Sequence, residues 1–151
     1  MGIRMDPLFV SNPSDADIAA ALRLWPELSA KRVRPLLVTA FGDVYVETDA
    51  GDVFVASPIE LQCERVADSV RKLENLFSNP EWAEERLITT LALLASEKGK
   101  IRETHQVFAV APHPRFSGSL RVENLVAIDL HIWHHICSQF RAQQAVQPDR
   151  A

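Results

Sequence analysis

The sequence predicts an α+β domain, a small and mostly antiparallel sheet with helices packed on it. Three observations carry that expectation. Residues 36–57 hold short apolar runs with a strand-like period of two around a turn signal. From Val66 to Ser96 the apolar period lengthens to that of a helix. Two further apolar runs, inside "HQVFAVAP" and "SLRVENLVAI", precede a last helix. The expected order is α-β-β-β-α-α-β-β-α, in one domain over residues 1–151.

The elements follow in chain order. "SNPSDADIAAALRLWPEL" opens with capping residues, so Ser14 or Asp15 starts a helix whose Ile18, Ala21, Leu22 and Trp25 recur at near-helical spacing; Pro26 is expected to end it. Leu36 to Ala40 is a continuous apolar run that suits a buried strand. Val44 and Val46 then alternate with Asp43, Tyr45 and Glu47, and "DAGD" marks a turn before a second strand, "VFVA". Val66, Val70, Leu73 and Phe77 stand at i, i+4, i+7 and i+11, one face of a helix.

"SNPEW" restarts the chain. Asn79 fits an N-cap, Pro80 the first helical position, and Glu81, Glu84 and Glu85 the positive end of the helix dipole. That helix is expected to reach about Ser96, with Lys98 and Gly99 as its stop. "PHPRFSGS" joins the two later strands, and residues 129–141 form the last helix, with Asp129 as its N-cap. Residues 1–12 and the polar tail from Gln143 are expected to fray.

Composition bounds the function. The chain has 151 residues, 47% hydrophobic and 24% charged, an ordinary globular balance. No apolar run approaches the ~18 residues of a membrane span. The start, "MGIRMDPLFV", has neither the apolar core of a secretory signal nor a myristoylation pattern, since Asp6 stands where Ser or Thr is required. A cytoplasmic protein is expected. Cys63 and Cys137 sit beside apolar residues without zinc spacing and read as small buried hydrophobes.

The net charge of −4 is unevenly placed. Between Phe41 and Asp68 lie seven acids, Asp43, Glu47, Asp49, Asp52, Glu60, Glu64 and Asp68, against Arg65 alone. From Lys98 to Arg121 the bias reverses. An acidic lobe repels nucleic acid and steers basic partners toward it. No basic stripe interleaved with aromatics is present, so no direct nucleic-acid contact is expected.

"DLHIWHHICSQF" at 129–140 crowds three histidines, a tryptophan and a cysteine into twelve positions. At about 100° per residue, Leu130, Ile132, Trp133, Ile136, Cys137 and Phe140 share one arc, expected to face the core. His131, His134, His135, Ser138 and Arg141 fall on the other arc as a polar ridge. His131 and His135 have the i, i+4 spacing of helix-borne zinc ligands, yet Ile132 stands where a metalloprotease carries its glutamate. A third ligand would have to come from His105 or His113. There is no G-x-S-x-G, P-loop or dinucleotide fingerprint, so no enzyme activity and no cofactor are expected.

Two blocks, "TAFGDVYVETDAGDVFVASP" (39–58) and "VFAVAPHPRFSGSLRVENLVAIDLHIWHHICSQF" (107–140), resemble the immunity proteins of type VI secretion DNases. That family often follows a GAD-like N-terminal segment and is distantly SUKH-like. The resemblance rests on Phe41, Gly42, Asp43 and Tyr45; on Gly51, Val53 and Phe54; and on Pro112, Gly118, Glu123, Asn124 and Leu125. It extends through Asp129, His134 or its neighbours, Ile136 and Gln139. Where the family has a glycine pair in its turn this chain has "SGS", and the segment before the first block is short.

The resemblance implies a bacterial protein that neutralises a secreted toxin by protein–protein contact, with no catalysis of its own. The implied partner is a basic, nuclease-like toxin. On that reading Asp43, Glu47, Asp49 and Asp52 would imitate DNA phosphates, Tyr45 would supply a packing anchor, and His134 would belong to a second contact surface. The alternatives are a metal-binding protein or metal-dependent hydrolase centred on His131 and His135, or a non-catalytic regulatory domain. Oligomeric state is left open.

Overall fold

The computed structural model describes residues 6–146. It is an α+β fold with a four-stranded antiparallel sheet in the order β1-β2-β3-β4 and a separate two-stranded antiparallel sheet, β5-β6. The strands are β1 Val33–Val38, β2 Val44–Thr48, β3 Val53–Ser57, β4 Gln62–Ala67, β5 Gln106–Val110 and β6 Leu125–Asp129. The helices are α1 Asp15–Leu22, α2 Pro26–Ser29, α3 Val70–Phe77, α4 Pro80–Leu87, α5 Thr89–Glu97, α6 Pro114–Ser117 and α7 Leu130–Val146. A single 3₁₀ turn, Val122–Asn124, leads into β6.

Several local signals act as expected. Ser14 Oγ accepts from Asp17 N at 3.2 Å and opens α1. Asn79 Oδ1 accepts from Glu81 N and Trp82 N, with Pro80 following at the first position of α4. The β2–β3 hairpin turns through Gly51 at φ 93°, closed by Thr48 N to Asp52 O and Gly51 N to Thr48 O, both 2.9 Å. A side chain at that φ is strained, which is why the turn carries glycine.

Other expectations are corrected. Pro26 begins α2 rather than merely ending α1. Val66 lies in β4, a strand where the helical spacing had placed the start of a helix. The true boundary is Ser69, whose Oγ accepts from Lys72 N at 3.1 Å. The helix expected from Pro80 to Ser96 is two helices, broken at Ile88, which takes the left-handed conformation at φ 53°, ψ 49°. Asp129 ends β6, and its carboxylate accepts from Gln106 Nε2 at 3.2 Å and lies 3.4 Å from His105 Nε2.

Both ends carry regular structure within the described residues. Phe9 bridges Thr39, Val10 is buried, and Asp6 Oδ1 accepts from Leu8 N. The buried Arg102 holds this segment from inside, donating to Asp6 O, Phe9 O and Gln106 O while its guanidinium lies over the Phe108 ring. At the other end α7 continues through Gln143 to Val146. Residues 1–5 and 147–151 lie outside the described residues.

The main sheet is covered on both faces. On one face Val38, Val44, Val46 and Ala56 join the large core made with α1, α5, α7 and β5. On the other, Tyr45, Val53, Val55 and Ala67 are roofed by Leu73 and Phe77 of α3 and by Trp82 of α4. Strand alternation therefore sorts side chains between two apolar layers, not between core and water.

Candidate functional site

The "TAFGD" stretch is a tight turn between β1 and β2. Thr39 N donates to Asp43 O at 2.9 Å, Asp43 N to Thr39 Oγ1 at 3.1 Å, and Gly42 N to Thr39 O at 3.0 Å. Gly42 sits at φ 92°, and a Cβ there would lie 2.7 Å from Cδ1 of Trp133. Both constraints demand glycine.

Helix α7 clamps this turn. Trp133 Nε1 donates to Phe41 O at 3.1 Å, and His134 Nε2 lies 2.6 Å from Gly42 O. The other ring nitrogen of His134 accepts from Trp25 Nε1 at 2.9 Å. An indole N–H only donates, so Nδ1 is bare and Nε2 carries the proton given to Gly42 O. Complete burial pushes the His134 imidazole down to about 4, against the pull of the Gly42 carbonyl. The ring is a neutral structural linker.

His113 repeats the arrangement next door. Its Nδ1 accepts from Arg115 N at 3.0 Å and its Nε2 lies 2.8 Å from Pro58 O, with burial again lowering its pKa. The inward face of α7 is thus Leu130, Trp133, His134 and Cys137, all at most 2% exposed, while Ile132 is 40% exposed. The expected ridge is corrected: the buried arc is rotated toward His134 and away from Ile132. His134 is no contact surface.

The turn held by α7 presents Asp43 to a cleft of about 280 Å³. Ser57, Ile59 and Glu60 line it from the end of β3 and the following turn, Gln62 and Glu64 from β4, and Glu85, Arg86 and Ile88 from the α4–α5 junction. Asp43 is 7% exposed and forms the floor; its Oδ1 is buried and has no hydrogen-bond partner. Burial raises the Asp43 carboxyl to about 7, opposed by the Ser57 hydroxyl, with Glu60 raising it further and Arg86 lowering it. Arg86 is engaged, donating to Glu64 Oε1 at 2.8 Å with its guanidinium over the Trp82 ring. Among the described residues Asp43, Glu60 and Glu85 form no ion pair. Ile88, a β-branched residue at positive φ, sits on the wall, where backbone strain of this kind often accompanies a functional site.

The other sequence candidates scatter. Tyr45 is fully buried beneath α3, 5.4 Å from Phe77, and so is corrected from surface anchor to core residue. Its hydroxyl has no partner and burial raises its pKa. Glu47 is paired with Arg34, and Asp52 lies 3.4 Å from Arg65. Asp49 is exposed at the hairpin tip. The expected phosphate-like row of four acids is therefore broken, with one member inside and two paired.

His131 and His135 do face outward. His131 Nδ1 lies 3.3 Å from Asp17 Oδ1 and His135 Nε2 3.4 Å from Gln139 Nε2, while His105 and His113, the proposed third ligands, are engaged elsewhere. Among the described residues no group of three His, Cys, Asp or Glu is placed to hold a metal ion. Cys137 is in the core, and burial, helped by nearby Glu27, pushes the half-buried Cys63 thiol up to about 12.

The cleft draws Asp43, Glu60 and Glu64 from the acidic run that the sequence singles out. Glu85, Arg86 and Ser57 were missed, because Glu85 reads as a helix-dipole charge and nothing local links it to Asp43. No family model matches the chain, and no curated protein matches it in sequence. Among the described residues no helix is long and apolar enough to cross a membrane.

Proposed function

We propose that this is a non-catalytic recognition protein that binds and neutralises a basic protein partner. In biological terms it is an immunity protein against a nuclease-like toxin, of the kind its sequence motifs resemble, acting in the cytoplasm. The observation that supports the reading is the Asp43 cleft, a built acidic recess with three carboxylates that carry no ion pair. Residues within the two resembling blocks then have a physical task. Gly42, Trp133 and His134 hold the turn that aims Asp43 into the cleft. Recognition moves from the hairpin strand, where Tyr45 is buried, to the opening beside Glu60 and Glu85.

The test is capture followed by a toxicity assay. Tagged protein is used as bait in its native cells, and each stoichiometric partner is then expressed alone and together with this protein. The reading predicts one basic partner that arrests growth alone and is harmless when co-expressed. A partner that is acidic or harmless alone, or growth arrest that co-expression leaves unrelieved, overturns it.

A further inference from the structure

We propose that the Asp43 cleft is a receptor for one arginine side chain, inserted by the partner with its guanidinium against the Asp43 carboxylate. The inference rests on the recognition reading and specifies its chemistry. Three features of the cleft select this group.

The first is unmet acceptor capacity. Asp43 is nine-tenths buried, lines the cleft, and keeps Oδ1 without a hydrogen-bond partner. A buried carboxylate in this state is costly unless a donor reaches it. The cleft's own cation, Arg86, is turned to Glu64 and stacked on Trp82, leaving Asp43, Glu60 and Glu85 without one.

The second is size. About 280 Å³ lies just below the range of small-molecule pockets, so the recess suits a side chain better than a metabolite.

The third is acceptor layout. Carboxylates stand on separate elements around the opening: Asp43 on the β1–β2 turn, Glu60 on the β3–β4 turn and Glu85 on α4, with the Ser57 and Gln62 side chains between. A planar guanidinium carries five donors in a fixed fork and is weakly hydrated, so it can meet dispersed acceptors while losing water. An ammonium is a compact, strongly hydrated point charge. The existing Arg86–Glu64–Trp82 stack shows a guanidinium already accommodated on the same wall.

The groups around Asp43 make capture proton-linked. Burial and Glu60 disfavour its charge, the Ser57 hydroxyl and Arg86 favour it, and Glu64 and Glu85 complete the charged lining. With the Asp43 carboxyl near 7, an entering cation displaces a proton. Between pH 6 and pH 8 the ionised fraction, and with it the affinity, rises about tenfold.

The probe is N-acetyl-arginine methylamide, titrated into the ¹⁵N-labelled full chain at pH 6 and pH 8 and read by backbone amide shifts. N-acetyl-lysine methylamide and the uncharged citrulline analogue serve as controls. The proposal predicts saturable shifts at Asp43, Glu60, Arg86 and Ile88. It predicts binding about tenfold tighter at pH 8, several-fold weaker binding of the lysine probe, and none of citrulline. Asp43→Asn abolishes binding and its pH dependence. Glu85→Gln, an exposed change that leaves the fold intact, weakens binding and keeps the pH dependence. Shifts that do not saturate, that spread over the acidic surface, or that citrulline reproduces overturn the proposal. If the arginine probe fails while a growth-arresting partner is captured, the arginine receptor falls and the recognition reading stands. If the probe binds and no such partner exists, the reverse holds.

Discussion

Trp25 and His134, 109 positions apart, are joined through a single 2.9 Å hydrogen bond inside the core. The indole fixes which imidazole nitrogen is bare, and the other nitrogen then holds Gly42. Trp25→Phe keeps most of the aromatic volume but leaves Nδ1 buried without a donor. We expect a loss of roughly 1–3 kcal/mol, read as a lower urea midpoint at unchanged m-value. A loss below a few tenths would mean that the bond does not hold the ring.

Two buried groups, Asp43 and the His134 that is bonded to the preceding Gly42 carbonyl, tilt stability in opposite directions with pH. His134 is lowered from 6.5 to about 4 in the fold, so the unfolded chain binds the proton more readily. Its share of stability rises with pH from about 4 to 6.5, by roughly 3 kcal/mol. Asp43 is raised from 3.8 to about 7, so the fold keeps the proton. Its share is complete below about 4 and is lost as pH rises to 7, by roughly 4 kcal/mol. The wild-type profile across this window is expected to be shallow. Asp43→Asn should gain on the wild type steadily from pH 4 to pH 7, measured by denaturant melts at each pH. A constant difference between the two proteins would rule out the raised carboxyl.

Gly42→Ala meets two obstacles at once, a φ of 92° and the Trp133 ring 2.7 Å from the new methyl. The positive φ alone costs about 1–2 kcal/mol, and displacing a ring that is bonded to Phe41 O adds to it. We expect a drop in melting temperature larger than that of alanine at Gly51, which has the same strain and nothing within 4 Å.

Tyr45→Phe is expected to stabilise the protein by about 1 kcal/mol, because it removes a buried hydroxyl that has no partner. Partner binding should be unchanged. A large loss of binding in this variant would return Tyr45 to the recognition surface.

Charge reversal separates the cleft from the hairpin. Glu85→Lys at the cleft mouth should slow association with the basic partner about tenfold and flatten its salt dependence. Asp49→Lys at the hairpin tip should have the smaller effect. Stopped-flow association at several salt concentrations reads both, and the opposite ranking would place the interface on the hairpin.

Local chemistry made much of the fold legible. Ser14, Asn79, Pro80 and Gly51 did what their side chains or backbone freedom require, and β5 and β6 followed their apolar runs. What stayed hidden depends on distant partners. Val66 fits a helical stripe and a strand equally well until Ser69 caps the next helix. Tyr45 alternates correctly for a solvated strand, and only the roof of α3 and α4 makes its side of the sheet dry. His134 counts as polar in any periodicity, but with both ring nitrogens satisfied it packs as an apolar residue would. The cleft combines Asp43 with Glu85 across more than forty residues, and no spacing rule joins them.

Arg102 gives the molecule an order of assembly. Its carbonyl partners on Asp6 and Phe9 precede it by 96 and 93 positions, and a polypeptide leaves the ribosome from its N-terminus. The first segment can therefore pair with Thr39 through its backbone, but its side-chain anchor follows only after the four-stranded sheet has been synthesised. His134 arrives later still. The acidic hairpin can zip early from local contacts, but the turn that carries Asp43 is clamped only when α7 has been translated, which makes recognition among the last properties the nascent chain acquires.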